Sequence, residues 1–107
     1  MVSRLAWPES VGVLAASRRG RRLTEEHHQA AARALSSCFE RCTVVSVADP
    51  IVDHAAELAA GSQLRAADGI HLATALAAAA ADSVFVTWGK RLRQAATLAG
   101  LVTAPAE

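Results

Sequence analysis

Short β-branched segments alternate along this chain with longer alanine-rich segments, and this alternation constrains the fold more than any other feature. The run TVVSV at 43–47 is the clearest strand, and VFVT at 84–87 is the next. Weaker strand segments lie at 2–6 and 101–103. Strands that alternate with helices form parallel sheets with right-handed crossovers. The pattern therefore predicts an α/β fold in which helices flank a parallel sheet.

The alanine-rich segments carry the start and stop signals of helices. Pro8 suits the first turn of a helix that stops at Gly20, and Thr24 is a plausible N-cap of the next. Asp49 and Pro50 form an N-cap and N1 pair. The predicted helices cover about 8–20, 24–41, 49–61, 65–81 and 90–99. The helix at 65–81 is apolar nearly all round, so we expect it to be buried.

Composition excludes several classes of protein. With 107 residues, 52% of them apolar, the chain has room for one domain with a core and is not disordered as a whole. The net charge of +1 gives no global reason to expect nucleic acid, although a local basic patch is not excluded. Cys38 and Cys42 lie four residues apart and predict neither a disulfide framework nor a zinc site. We interpret both as small apolar residues on one helix face.

Targeting signals are absent from the sequence as it stands. No signal peptide precedes Met1, and no stretch of about 18 uncharged apolar residues could span a bilayer. Together with the two unpaired thiols, this pattern predicts a protein of the reducing cytoplasm with no membrane partner.

Two acids could carry chemistry. Asp68 lies in the apolar helix at 65–81, where a carboxylate is costly unless it is paired or bound to a cation. Glu9 follows the first strand, at the edge where chemistry collects in parallel sheets. If both point into one crevice, they favour a hard cation such as Mg²⁺ or Mn²⁺, which can activate water against a phosphodiester. Each acid could instead be a helix-start residue favoured by the dipole, and this alternative stays open.

Basic and aromatic residues add weaker signals. Arg18, Arg19, Arg21 and Arg22 surround Gly20 and either contact RNA phosphates or form a solvated helix end. Trp7 and Trp88 each adjoin the end of a strand, where an indole could stack on a base. Packing in the core is the default interpretation for both tryptophans.

Three segments resemble a PIN-domain ribonuclease, and within that family the VapC-like toxins of type II toxin–antitoxin pairs. They are SRLAWPE at 3–9, LRAADGIHLATAL at 64–76 and VFVTWGKRLRQAATLAGL at 84–101. The resemblance implies a Mg²⁺- or Mn²⁺-dependent endoribonuclease that cleaves RNA, often forms a homodimer and is inhibited by a protein antitoxin. It also implies that Glu9 and Asp68 are the catalytic, metal-binding acids and that Thr87 supports the site by hydrogen bonding.

The chain departs from the family pattern in two places. The family opens with a central strand that ends in Asp, whereas Met1 falls where its second strand begins. The turn after Thr87 usually carries an acid and here carries Gly89. We therefore predict a single but partial PIN-like domain over 1–107, with an impaired nuclease site. The alternative is a non-catalytic PIN-like remnant that binds an antitoxin or itself.

The resemblance also predicts how the strands pair. The strand near Val2 should pair with 43–47, and the strand at Val84 with the C-terminal segment. The family's first strand would lie between these two pairs. Glu9 and Asp68 should converge at the strand ends, close enough to share one cation.

Overall fold

The computed structural model describes residues 1–105, which form five helices and four short strands in two compact units. The first unit, Met1–Ser46, contains β1 (Val2–Ser3), α1 (Ala6–Arg19), α2 (Glu25–Arg41) and β2 (Val44–Val45). The second unit begins at Val47 and contains α3 (Asp49–Ser62), α4 (Ala66–Ala78), β3 (Val84–Val86), α5 (Lys90–Leu98) and β4 (Val102–Ala104). The predicted α/β class with short parallel strands is confirmed. The prediction of one domain over 1–107 stays a prediction.

Each unit contains one parallel two-stranded sheet, and both predicted strand pairings are confirmed. β1 pairs with β2 so that Val2 lies opposite Val44, and β3 pairs with β4 so that Phe85 lies opposite Thr103. The strands are shorter than the β-branched runs suggest, because ladder pairing is limited to two residues in β1 and β2 and to three in β3 and β4.

In the first unit, a two-residue turn of Arg4 and Leu5 joins β1 to α1. The buried Ser3 hydroxyl accepts the N–H of Leu5 at 3.2 Å, and this bond turns the chain out of the strand. α1 therefore begins at Ala6, inside the segment predicted as strand. Trp7 then packs edge-on against Phe39 of α2, with ring centroids 5.1 Å apart. This aromatic pair joins the start of α1 to the end of α2.

The helix ends of the first unit follow the sequence closely. The Thr24 hydroxyl accepts the N–H of His27 at 3.1 Å, which confirms the predicted N-cap of α2. α1 ends before Gly20, as predicted. Cys38 is exposed and Cys42 half-buried, so the interpretation of Cys38 as an apolar face residue is wrong. Cys38 lies outside the half-buried face of α2, which includes Ala31, Leu35 and Phe39.

The second unit holds a core of leucine and alanine side chains. Buried Leu64, Leu72, Leu92, Ala95 and Ala96 form it, and the half-buried Leu58, Leu76, Phe85 and Leu101 pack against it. α3 and α4 approach closely at Gly69, where a Cβ atom would lie 2.8 Å from the Ala55 carbonyl oxygen. The buried residues of α4 confirm that this helix is internal. Across residues 1–105, no helix combines the length and apolar content needed to cross a bilayer.

Two helix boundaries of the second unit differ from the predictions. Asp49 is the first residue of α3 and not its N-cap, because the Ala48 carbonyl already accepts the N–H groups of Ile51 and Val52 at 3.0 Å. α4 ends at Ala78 and does not reach residue 81. A turn closes there, in which the Ser83 hydroxyl accepts the N–H of Ala80 at 2.8 Å.

Candidate active-site residues

Asp68 lies in the first turn of α4, a helix that is buried in its middle and exposed at both ends. It is the third residue of α4 and is half-buried, whereas Leu72, one turn further on, has no exposed surface. No hydrogen bond or ion pair within residues 1–105 involves its carboxylate. The α4 dipole and the solvent that reaches this half-buried side chain therefore offset the charge. A half-buried carboxylate without a protein partner is suited to bind a cation or a water bound to one.

Glu9 is exposed in the first turn of α1, and its N–H donates to the Leu5 carbonyl at 3.3 Å. This position matches both interpretations of the residue, a metal ligand at a strand end and an acid favoured by the helix dipole. Glu9 belongs to the first unit and Asp68 to the second. Their convergence stays a prediction.

Thr87 shapes the turn between β3 and α5. Its N–H donates to the Ala104 carbonyl at 2.9 Å, which extends the pairing with β4 by one bond. Its hydroxyl accepts the N–H of Gly89 at 3.1 Å. Thr87 therefore acts on the turn backbone, and its predicted support of a metal site stays a prediction.

Gly89, where the family usually carries an acid, has room for a side chain. Its φ of −74° is accessible to any residue, and it is the N-cap of α5. A Cβ atom there would lie 3.4 Å from the Thr87 hydroxyl oxygen and 3.6 Å from the Leu92 Cβ. Neither backbone strain nor a severe clash therefore requires glycine at this position.

The four arginines around Gly20 are all exposed on a short, well-ordered connection. The N–H groups of Arg21 and Arg22 donate to carbonyls of the last turn of α1, at 3.0 and 2.9 Å. Arg21 adopts a left-handed conformation with φ +58°. Arg18 pairs with Glu25 at 2.6 Å, but Arg19, Arg21 and Arg22 have no side-chain partner within residues 1–105. Three guanidinium groups are therefore available to anions.

The two tryptophans have different environments. Trp7 packs on Phe39, as the default interpretation predicts. Trp88 is 79% exposed, so the same interpretation is wrong for it: the Thr87–Gly89 bond directs the turn after β3 away from the core. Lys90 and Arg91 follow it and are exposed too. The sequence pattern alone does not single out these two cations. A helix that begins with cations and no acid is the signal that could have identified them.

The donor set fits a divalent cation only in part. Within residues 1–105, no group of three or more His, Cys, Asp or Glu residues could hold a metal ion. Mg²⁺ needs only one or two protein carboxylates, because water and substrate phosphates complete its coordination. The unpaired Asp68 carboxylate can supply one such ligand. A separate open groove of about 410 Å³ in the first unit includes none of the predicted site residues; it is lined by Arg4, Trp7, Ser36, Phe39, Glu40 and Val44.

Comparison with known proteins agrees with the resemblance. The family model of the PIN domain matches residues 1–98. Two curated relatives from Mycobacterium tuberculosis are ribonuclease VapC45 (strain CDC 1551 / Oshkosh) and ribonuclease VapC49 (strain ATCC 25618 / H37Rv). Each is 38% identical over 105 residues, which cover 98% of this chain and 73% of the relative. No solved structure is a significant match.

Proposed function

The chain belongs to the PIN-domain family, and on that premise we propose that it is an endoribonuclease toxin of the VapC type that depends on Mg²⁺ or Mn²⁺. The observation that carries the proposal is the half-buried, unpaired carboxylate of Asp68 at the accessible end of α4. A partly desolvated carboxylate without a protein partner is suited to bind a cation. RNA is the proposed substrate, and the cytoplasm, where RNA is abundant, is the proposed location.

Asp68 and Glu9 are the residues that would hold the cation. When bound, the cation supplies an activated water and neutralises charge on the scissile phosphate. Asp68 contributes a fixed ligand because α4 is anchored by Leu72 in the core. Thr87 keeps the turn after β3 in place through its bond to Gly89. Arg19, Arg21 and Arg22 are proposed to contact RNA phosphates, and Arg18 to contribute less because Glu25 already neutralises it.

We propose that activity of the 107-residue chain is impaired. Gly89 supplies no carboxylate at the turn where the family usually carries an acid. A cation held by fewer carboxylates binds more loosely, because fewer charges attract it.

The test is cleavage of a structured RNA with added Mg²⁺ or Mn²⁺, with and without EDTA. Asp68→Asn removes the charge and keeps the shape, and we expect it to abolish cleavage, as EDTA should. Asp53→Asn is the matched control: Asp53 is an exposed acid of the neighbouring helix α3, and its loss is expected to leave cleavage unchanged. Cleavage that survives both Asp68→Asn and EDTA would exclude the metal mechanism.

A second candidate function is that of a non-catalytic module that binds a protein antitoxin or a second copy of itself. The absence of an acid at Gly89 favours it, as do the exposed Val84, Val86 and Val102 on the outer face of the β3–β4 sheet. Parallel sheets are normally covered on both faces, so a partner protein is an obvious cover for these valines. If the chain associates with an antitoxin or dimerises but never cleaves RNA under any metal condition, this second function is the correct one.

A further inference from the structure

Trp88 is held in solvent by a well-defined turn. Its side chain is 79% exposed, although an indole of this size is normally mostly buried. The residues on either side are fixed, because the Thr87 N–H donates to the Ala104 carbonyl and its hydroxyl accepts the Gly89 N–H. The exposure therefore arises from a turn closed by hydrogen bonds at the end of β3. A large, flat apolar surface is presented there on a defined backbone.

Unpaired cations follow the indole directly. Lys90 and Arg91 are exposed and have no side-chain partner within residues 1–105. Both lie in the first turn of α5, which contains no acid. Cations are disfavoured at the start of a helix, so their position opposes the local stability of α5. The exposed indole and the unpaired cations do not help the chain to fold. Their combination is better explained by the binding of a ligand.

We propose that Trp88, Lys90 and Arg91 form a binding site for single-stranded RNA, in which the indole stacks on one base and the two cations contact adjacent phosphates. The inference rests on the proposed function, which makes RNA the substrate. It adds the residues that hold an unpaired stretch of that RNA, because a base face is available for stacking only where the strand is not paired. Stacking of this kind tolerates any base, so the site positions RNA without selecting its sequence.

Lys90 favours RNA over a protein partner. Tryptophan and arginine are enriched at protein interfaces but lysine is depleted at their centres, whereas sites for single-stranded RNA combine aromatic side chains with several cations. Leu98, on the same helix α5, provides a comparison. It is even more exposed than Trp88, at 89%, but it has no flat aromatic surface and lies at the other end of the helix. It is therefore expected to play no part in RNA binding.

The test measures binding in EDTA, so that cleavage does not interfere. Trp7→Phe provides the parent protein, because it leaves Trp88 as the sole fluorophore and keeps an aromatic ring against Phe39. The probe is a uridylate RNA of about 12 nucleotides, within the site sizes common for single-strand binders. We expect the RNA to quench the Trp88 emission. Trp88→Ala should weaken binding roughly 5- to 150-fold, as measured by the fluorescence anisotropy of labelled RNA.

Four comparisons separate stacking from charge. An abasic ribose-phosphate strand of equal length should bind the parent and Trp88→Ala equally, since it has no base to stack. Trp88→Phe should retain most of the affinity, and Leu98→Ala all of it. The double variant Lys90→Gln/Arg91→Gln should lower the slope of log affinity against log salt by about 1.4, the value for two phosphate contacts to a single strand.

Several outcomes would overturn the inference. One is an affinity of Trp88→Ala within about twofold of the parent, a difference too small for a stacked base. Another is an equal loss on the abasic strand. A third is a blue-shifted Trp88 emission in an RNA-free dimer, which would assign the indole to a second copy of the chain. The binding assay contains no metal, so its result is independent of cleavage. If Trp88 stacks on RNA but the chain does not cleave RNA, only the proposed catalysis is contradicted. If the chain cleaves RNA but Trp88 plays no part in binding, only the stacking site is contradicted.

Discussion

Replacing Gly69 by alanine tests how closely α3 and α4 pack beside Asp68. Gly69 is buried in the first turn of α4, and a Cβ atom built on it would lie 2.8 Å from the Ala55 carbonyl oxygen. Real Cβ atoms essentially never come within 3.0 Å of another heavy atom, and ordinary contact begins at 3.4 Å. The two helices must therefore separate locally by about 0.6 Å, from 2.8 Å to 3.4 Å, to admit the methyl group. The obstacle is backbone, which cannot rotate aside as a side chain could.

Two effects of opposite sign determine the stability of Gly69→Ala. Alanine favours the helix over glycine by about 0.5–1 kcal/mol. Overpacking a close contact costs about 1–3 kcal/mol, and a collision with backbone belongs in the upper part of that range. We expect a net loss of about 1–2 kcal/mol in the free energy of unfolding. For a chain of this size, each kcal/mol lowers the melting temperature by about 4–8 °C.

The assay is thermal and urea unfolding followed by far-ultraviolet circular dichroism. Gly61→Ala in α3 is the matched control, because a Cβ atom there meets nothing within 4 Å. Gly61 is the last but one residue of α3, so alanine should stabilise the protein by about 0.5 kcal/mol, the lower end of the range for a helical glycine. If Gly69→Ala stabilises the protein as Gly61→Ala does, the close approach of α3 and α4 is refuted. RNA cleavage should also fall in Gly69→Ala alone, since the methyl group displaces the turn that carries Asp68.

Three further predictions follow from the described contacts. Thr24→Ala removes the N-cap bond of α2 and should cost about 1 kcal/mol in urea unfolding, whereas an unchanged midpoint would mean that the bond contributes nothing. The triple variant Arg19→Gln/Arg21→Gln/Arg22→Gln should lower the slope of log affinity against log salt for single-stranded RNA by about 2, the value for three phosphate contacts. An unchanged slope would mean that the arginines around Gly20 form only a solvated helix end. Gly89→Asp should raise Mn²⁺ affinity in isothermal titration calorimetry and weaken RNA binding in EDTA, because it adds a carboxylate beside the cations that begin α5. If Mn²⁺ affinity does not rise, the turn after β3 does not face the metal site.

Much of the fold was predictable because its signals are local. The Thr24 N-cap, the stop at Gly20 and the β-branched runs each act over a few residues, and the structure confirms them. Strand length was less predictable, because ladder bonds depend on the partner strand and not on the run itself. The N-terminus of α1 shows the same limit: the Ser3 hydroxyl bond to the Leu5 N–H begins the helix early, and no hydrophobic period reveals that bond.

The candidate site was predictable to a different degree for each residue. Asp68 stands out because a lone acid interrupts an apolar helix, and the structure places it half-buried without a partner. Trp88 was a possible base-stacking residue at the end of a strand, but its exposure was not predicted, because packing in the core is the default interpretation of a tryptophan. Its exposure depends on the Thr87–Gly89 bond, a single contact across a turn. Periodicity therefore identifies acids that are costly in a core, but it cannot identify aromatic residues that a turn directs into solvent.

Gly89 affects both metal binding and RNA binding at the turn after β3. With an acid at this N-cap, a negative charge would face Lys90 and Arg91, and the turn would offer a ligand to a cation. With glycine, the first turn of α5 contains cations and no acid, so its local potential is positive. A positive turn attracts the phosphates of RNA but repels a divalent metal ion. Glycine at position 89 thus weakens the proposed catalysis and strengthens the proposed RNA contact at Trp88. Substrate binding therefore becomes separable from metal binding in this chain.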